Sequence, residues 1–81
     1  MTRALAILNY NGLNLLKLFL KENIKNTPNT KTYIIDNNSN DGSIEFVKTK
    51  FPDVKIIRLE KNLGYAGGYN AAVNHINEDL I

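Results

Sequence analysis

Two kinds of hydrophobic spacing alternate along this chain. Apolar runs stand at Arg3–Leu8, Thr32–Ile35 and Val54–Leu59, and each gives way to a cluster of short polar residues and glycine. Brief runs of this kind, rich in branched residues, are how strands buried on both faces of a parallel sheet read. Between them the spacing is helical. Leu16, Phe19, Leu20 and Ile24 recur at i, i+3, i+4, i+8 behind a candidate cap at Asn14. Ile44, Val47 and Phe51 mark a second helix that starts near Gly42 or Ser43, capped from Ser39 or Asp41. Ala66, Tyr69, Val73 and Ile76 mark the apolar side of a third, and Leu80-Ile81 reads as the opening of a fourth strand. Thr27-Pro28-Asn29-Thr30 and Pro52-Asp53 are the breaks that end the first two helices. The order β-α-β-α-β-α, with the start of another β, predicts an α/β fold: a parallel sheet, right-handed crossovers, and helices on its faces.

Eighty-one residues make one small unit, and such a chain buries only about 60–65% of its unfolded surface. With 43% hydrophobic and 22% charged residues it reads as globular rather than disordered. There is no cysteine, which excludes a disulfide framework and thiolate metal sites. No stretch approaches the roughly 20 apolar residues of a membrane span, and Ala4–Leu8 is too short for a signal peptide. A cytoplasmic location is therefore expected, with the inner membrane face as a peripheral alternative. The net charge of +2 is small and the lysines are scattered, which argues against a nucleic-acid surface. Lys17, Lys21 and Lys25 do form a helical stripe, which reads first as a solvated face.

Parallel strands bring their C-terminal ends to one edge, where open α/β sheets bind ligands. Three polar clusters converge there: Asn9-Tyr10-Asn11-Gly12, Asp36-Asn37-Asn38-Ser39, and Asn62 through Gly68. The dinucleotide loop needs three spaced glycines after the first strand and only Gly12 is present; no Gly-Lys-Ser/Thr phosphate loop exists. Tyr10 can stack on a base, or simply cover the sheet end. Asp36 can accept a hydrogen bond from a base imide, or simply tie its turn together. Gly64, Gly67 and Gly68 at a helix start each cost about 0.5–1 kcal/mol relative to alanine, so something must come close to the backbone there. A donor substrate is one candidate. Close packing of the helix on the sheet is the other, and is at least as strong for Gly68. Asn70 and Asn74 read as a polar helix face, and His75 as a surface residue. No nucleophile–base pair, metal spacing or paired carboxylates can be assembled, so no catalytic residue and no metal ligand is assigned.

Leu8-Asn9-Tyr10-Asn11-Gly12, Ile35 through Ser43, and Asn62-Leu63-Gly64-Tyr65-Ala66-Gly67-Gly68-Tyr69-Asn70 together resemble the start of a family 2 glycosyltransferase, nearest its rhamnosyltransferase-like branch. The resemblance runs over essentially the whole chain. It implies a GT-A fold, a three-layer α/β/α Rossmann-like half domain that binds a nucleotide-diphosphate sugar such as a UDP- or dTDP-sugar. It also implies inverting transfer to an acceptor hydroxyl, in cell-wall or polysaccharide biosynthesis. On this resemblance Asp36 meets the base imide and Tyr10 the base. Asn9, Asn38, Asn62, Gly64 and Gly67 lie along the nucleotide and its sugar. The family's divalent metal (Mg or Mn), held on an Asp-x-Asp motif, would neutralise the leaving diphosphate, with a later carboxylate as general base. Neither appears by Ile81, so the chain is expected to be the first part of something longer and inactive alone.

Two other readings compete. A flavodoxin- or receiver-like binding module would also carry an acid at a strand end, but receivers need an acidic pair where this chain has Asn9, Tyr10 and Asn11. A small interaction domain without ligand is the other. In a GT-A sheet the fourth strand pairs beside the first. With that strand missing, Arg3–Leu8 is left as an exposed apolar edge, and self-association through it is expected, as a homo-oligomer in the form of a symmetric dimer or an exchanged segment.

Overall fold

The computed structural model describes residues 3–73, 76 and 79–80. The elements are β1 (Arg3–Asn9), α1 (Leu13–Lys25), β2 (Thr30–Asp36), α2 (Ser43–Lys50), β3 (Lys55–Arg58), α3 (Gly64–Val73) and β4 (Asp79–Leu80). The strands form one sheet in the order β3-β2-β1-β4, and every pairing is parallel. β1 and β2 pair along their full length, so Asn9 stands beside Asp36 at the C-terminal edge and Arg58 stands on the far side of Asp36.

The strand order places the helices. Two steps in one direction, β1 to β2 to β3, put α1 and α2 on one face when the crossovers are right-handed; the return from β3 to β4 puts α3 on the other. On the first face Leu16 and Leu20 of α1, Ile34 of β2 and Val47 of α2 form the core, with Ile7, Ile24, Phe46, Phe51, Val54 and Ile56 around it. The opposite face is thinner. There α3 lies on β1 and β2 through its buried Gly68 and Ala72.

Several expectations change. Phe19 belongs to the helical spacing of α1 but is 54% exposed; Leu16, Leu20 and half-buried Ile24 alone turn inward. The spacing i, i+3, i+4 spans a wide arc, and a helix resting on so narrow a sheet buries only part of it. On α3 the buried line is Gly68–Ala72, not the Ala66–Tyr69–Val73–Ile76 series: Ala66 and Tyr69 are exposed, and Val73 and Ile76 are half-buried. Small residues face the sheet because α3 packs close to it. α1 begins at Leu13, one residue before the expected cap Asn14, which is exposed within the helix. The fourth strand, expected to open at Leu80-Ile81, spans Asp79–Leu80. It lies beside β1 as expected, but it pairs with Arg3 and Ala4 and so covers the start of the edge expected to be open. Asn74, His75 and Ile81 lie outside the described residues.

Candidate functional site

The sheet reverses its strand order between β1 and β4, and the C-terminal lip at such a reversal is where open α/β sheets bind ligands. The loops after β1, β2 and β3 meet there. Their geometry follows from side-chain alternation along β2. Thr32, Ile34 and Asp36 point to one face, Tyr33, Ile35 and Asn37 to the other. Asp36 therefore turns toward α1 and α2, and Asn37 toward α3.

Asp36 is fully buried. Its Oδ1 accepts from Asn9 Nδ2 at 2.8 Å and from Ser39 Oγ at 2.7 Å; its Oδ2 accepts from the Ser39 N–H at 2.8 Å. Ser39 Oγ in turn accepts from Asn9 Nδ2 at 3.2 Å and from the Asn11 N–H at 2.8 Å. Asn11, in the left-handed conformation at φ 49°, accepts the Asn40 N–H on its Oδ1 at 2.8 Å. The first two loops are thus one hydrogen-bonded body. Its carboxylate is held within that body and offers no exposed oxygen to a base, so in this structure Asp36 ties the turn together, the second reading open to it. A carboxylate so enclosed is equally ill placed to accept a phosphoryl group as a receiver would.

Asp41 extends the same body to the helices. Its Oδ2 accepts the Leu13 N–H of α1 at 3.0 Å, and its Oδ1 accepts the Ser43 N–H of α2 at 3.0 Å and the Ser43 hydroxyl. One carboxylate thereby serves two helix N-termini, where orphan N–H groups and the helix dipole both favour negative charge. This replaces the expected local cap at Asn14; the expected cap of α2 from Asp41 is present, while Ser39 is engaged with Asp36. Desolvation pushes the Asp41 carboxyl upward. The Ser43 hydroxyl and the N–H groups of Leu13 and Ser43 outweigh it and hold the carboxyl below its ordinary value.

On the α3 side Asn37 joins the second loop to the third. It is 1% exposed; its Oδ1 accepts the Leu63 N–H at 3.2 Å and its Nδ2 donates to the Gly64 carbonyl at 3.2 Å. Gly64 takes φ +72°, a conformation that costs any other L-residue, and an added side chain there would meet open space. Asn62 Oδ1 accepts the Gly64 N–H at 2.8 Å, closing a short turn. Tyr10, Asn37, Asn62 and Gly64 together line a cleft of about 110 Å³. Tyr10 is 50% exposed and also borders an apolar groove of about 240 Å³ formed with Ile7, Leu15 and Phe19.

The residues singled out from the sequence therefore separate. Tyr10, Asn62 and Gly64 share the open cleft. Asn9 and Asp36 are buried beneath the rim as its scaffold. Asn38 is an exposed turn residue at φ 65°, and a β-carbon on Gly67 would press on Leu63 Cβ at 3.1 Å, a packing reason for that glycine. Nothing in the cluster Asp36-Asn37-Asn38-Ser39 itself sets Asn37 apart from Asn38. Carrying the alternation of β2 one residue past Asp36 would have found it. Among the described residues no three acidic, histidine or cysteine side chains gather where a metal ion could be held, and no helix is long and apolar enough to cross a membrane.

The pattern of the family described as "Glycosyl transferase family 2" matches residues 5–81. Among curated proteins none matches the chain significantly. Among solved structures, a mannosyltransferase from Pyrobaculum calidifontis, in complex with GDP-Man and Mn2+, superposes with a TM-score of 0.73 at 21% identity. The match covers 93% of this chain and 24% of that one, and at this identity the likeness is one of fold, the GT-A fold. With the family pattern running through all three loops that meet at the sheet's lip, the chain belongs to glycosyl transferase family 2.

Proposed function

We propose that this chain supplies the donor-binding part of an inverting glycosyltransferase. Its C-terminal sheet edge takes a nucleoside-diphosphate sugar, with a UDP- or dTDP-sugar as the first candidate and an acceptor hydroxyl as the sugar's destination. The observation that carries the reading is the cleft at the C-terminal edge of the sheet, lined by half-exposed Tyr10 together with Asn37, Asn62 and Gly64. At about 110 Å³ the cleft suits a heterocycle but not a whole nucleotide sugar, so the diphosphate and sugar would run outward over the rim. Tyr10 stacks on the base, Asn62 and the Gly64 turn line its far side, and Asn9 with Asp36 keep Tyr10's loop in place. Asn38 and Gly67 serve this site through the shape of their loops rather than by contact. Within the family the three motifs favour the rhamnosyltransferase-like branch and polysaccharide or cell-wall synthesis, and a cytoplasmic location goes with that assignment.

The described residues do not fit a divalent metal site, and no step is assigned to a metal through them. A Mg or Mn ion would arrive with the donor, on ligands beyond those described. The isolated chain is accordingly expected to bind a donor nucleotide but not to transfer its sugar. Self-association through the first strand is a further part of this reading, with Arg3 and Ala4 of that strand already paired to β4. A clean monomer in sedimentation at high concentration would remove that part of the reading.

Titration with UDP, dTDP and GDP, followed by amide NMR, tests the whole. Saturable shifts at Tyr10, Asn62 and Gly64 are expected, strongest for one nucleotide. No shift at millimolar concentration of any of the three would leave a ligand-free interaction domain as the better account.

A further inference from the structure

We propose that Asn37 is the positioning residue of the donor cleft, and that Gly68 exists to make room for it. The proposal rests on the donor-site reading above and adds to it the device that sets the cleft's shape.

Asn37 stands where β2 ends, and its own N–H still bonds to the Asn9 carbonyl at 2.9 Å, so its backbone is part of the sheet. Its side chain leaves on the α3 face. There its amide pairs with the chain at two points, accepting the Leu63 N–H and donating to the Gly64 carbonyl, both at 3.2 Å. A carboxamide is a copy of a peptide group, so this contact works as one extra rung between the sheet and the third loop. Donor and acceptor sit on two separate atoms, which a carboxylate or methyl cannot reproduce and a hydroxyl offers only from one atom.

Gly68 closes the other side. A β-carbon there would lie 2.8 Å from Asn37 Oδ1, 2.9 Å from Nδ2 and 3.2 Å from Cγ. The amide is buried and held at both its atoms by the loop that precedes α3, so a β-carbon on Gly68 can be accommodated only by shifting the amide off those partners. Gly64, whose carbonyl it holds, is the residue at φ +72° that lines the cleft together with Tyr10. The distance from the sheet to that wall of the cleft is therefore set by one side chain. Asp36, one residue earlier, does the same for the Tyr10 wall on the other face. Two adjacent residues at the end of one strand fix the two walls separately.

The test is a cycle in the full chain: Asn37→Ala, Gly68→Ala and the double variant, with Asn37→Asp as an isosteric probe. Three quantities are read: amide hydrogen exchange at Leu63, the Kd for UDP, dTDP and GDP, and the thermal midpoint. Each single alanine variant is expected to speed Leu63 exchange at least about tenfold and to weaken the tightest-bound nucleotide about tenfold. The double variant should be no worse than Asn37→Ala alone, because Gly68 matters only while the amide is there. Asn37→Asp should lose affinity and lower the thermal midpoint, since it fills the same volume but sets a buried carboxylate against the Gly64 carbonyl and cannot donate to it. Additive losses in the double variant, unchanged Leu63 exchange in Asn37→Ala, or full affinity in Asn37→Asp would each overturn the proposal. Should the unmodified chain bind none of the three nucleotides, the donor reading fails by itself, and Leu63 exchange still decides whether the amide holds the loop.

Discussion

The Asn9 side chain donates to Asp36 Oδ1 at 2.8 Å across adjacent positions of β1 and β2. This bond lies inside the molecule and not at its surface: Asn9 is 4% exposed and Asp36 not at all. The lip of the sheet is thus built on a buried polar network in which all the donors that meet Asp36 are satisfied by one carboxylate. Such a network rigidifies when complete and is costly when one member is lost.

Asp36→Ala is expected to destabilise the fold by about 3 kcal/mol, since Asn9 Nδ2, Ser39 Oγ and the Ser39 N–H lose a charged acceptor in a buried place. Asp36→Asn should act in the same direction but less, because it sets an NH2 against groups that themselves donate. Urea unfolding reads both, and midpoints equal to that of the parent would show the network to be dispensable.

Asp41 gives the fold a dependence on acid. Its carboxyl is held below the ordinary aspartate value when folded, so it contributes stability at any pH above that ordinary value, about 3.9. That contribution falls away as the pH drops from there through the lower folded value. Asp41→Ala should remove this part of the acid transition and cost about 1 kcal/mol at neutral pH through the two uncapped helix starts. Thermal midpoints of the two proteins from pH 6 down to pH 2 are expected to converge; a constant gap would mean that Asp41 does not titrate with unfolding.

Neighbouring apolar residues of α1 should respond very differently. Leu20, at 1% exposure, is core, and Leu20→Ala is expected to cost about 2–5 kcal/mol. Phe19→Ala, at a position 54% exposed, should cost about 1 kcal/mol or less. Comparable losses in chemical denaturation would mean that Phe19 is covered in solution.

Gly64→Ala separates space from conformation. Nothing lies within 4 Å of a β-carbon there, so no clash is expected, yet φ +72° should cost about 1 kcal/mol. Asn tolerates this region, and Gly64→Asn should recover part of the loss. Equal stability of the glycine and alanine proteins would show that the turn relaxes to another conformation.

Tyr10→Ala is expected to weaken the preferred nucleotide about tenfold through lost stacking, with little change in the thermal midpoint, because half of the ring is already in solvent. Calorimetric titration beside a melting curve distinguishes this from a structural role. A large fall in melting temperature with unchanged affinity would mean that the ring only covers the sheet end.

Much of the layout was legible in the one-dimensional pattern. The runs at Arg3–Leu8, Thr32–Ile35 and Val54–Leu59 and the helical spacing between them lead directly to a parallel sheet, because period and run length are local properties set by the backbone itself. The three polar loops converge for the same reason, since parallel strands must end together. Sequence alone could not say which atoms those loops turn toward one another. The cap on α1 comes from Asp41, 28 residues beyond Leu13, and no local motif could announce it. Phe19 and Leu20 are equally apolar in the sequence, and only the width of the sheet beneath α1 decides which of them is covered.

The candidate site divides along the same line. That Asn and Gly would crowd the edge of the sheet is written in the order of residues. That Asp36 would be consumed by the scaffold, Asn37 would brace the cleft wall and Tyr10 would stay open depends on strand alternation combined with the face to which each helix is assigned. Hydrogen bonds between loops far apart in the chain are satisfied only once the sheet has brought those loops together, so tertiary structure alone chooses among identical polar side chains.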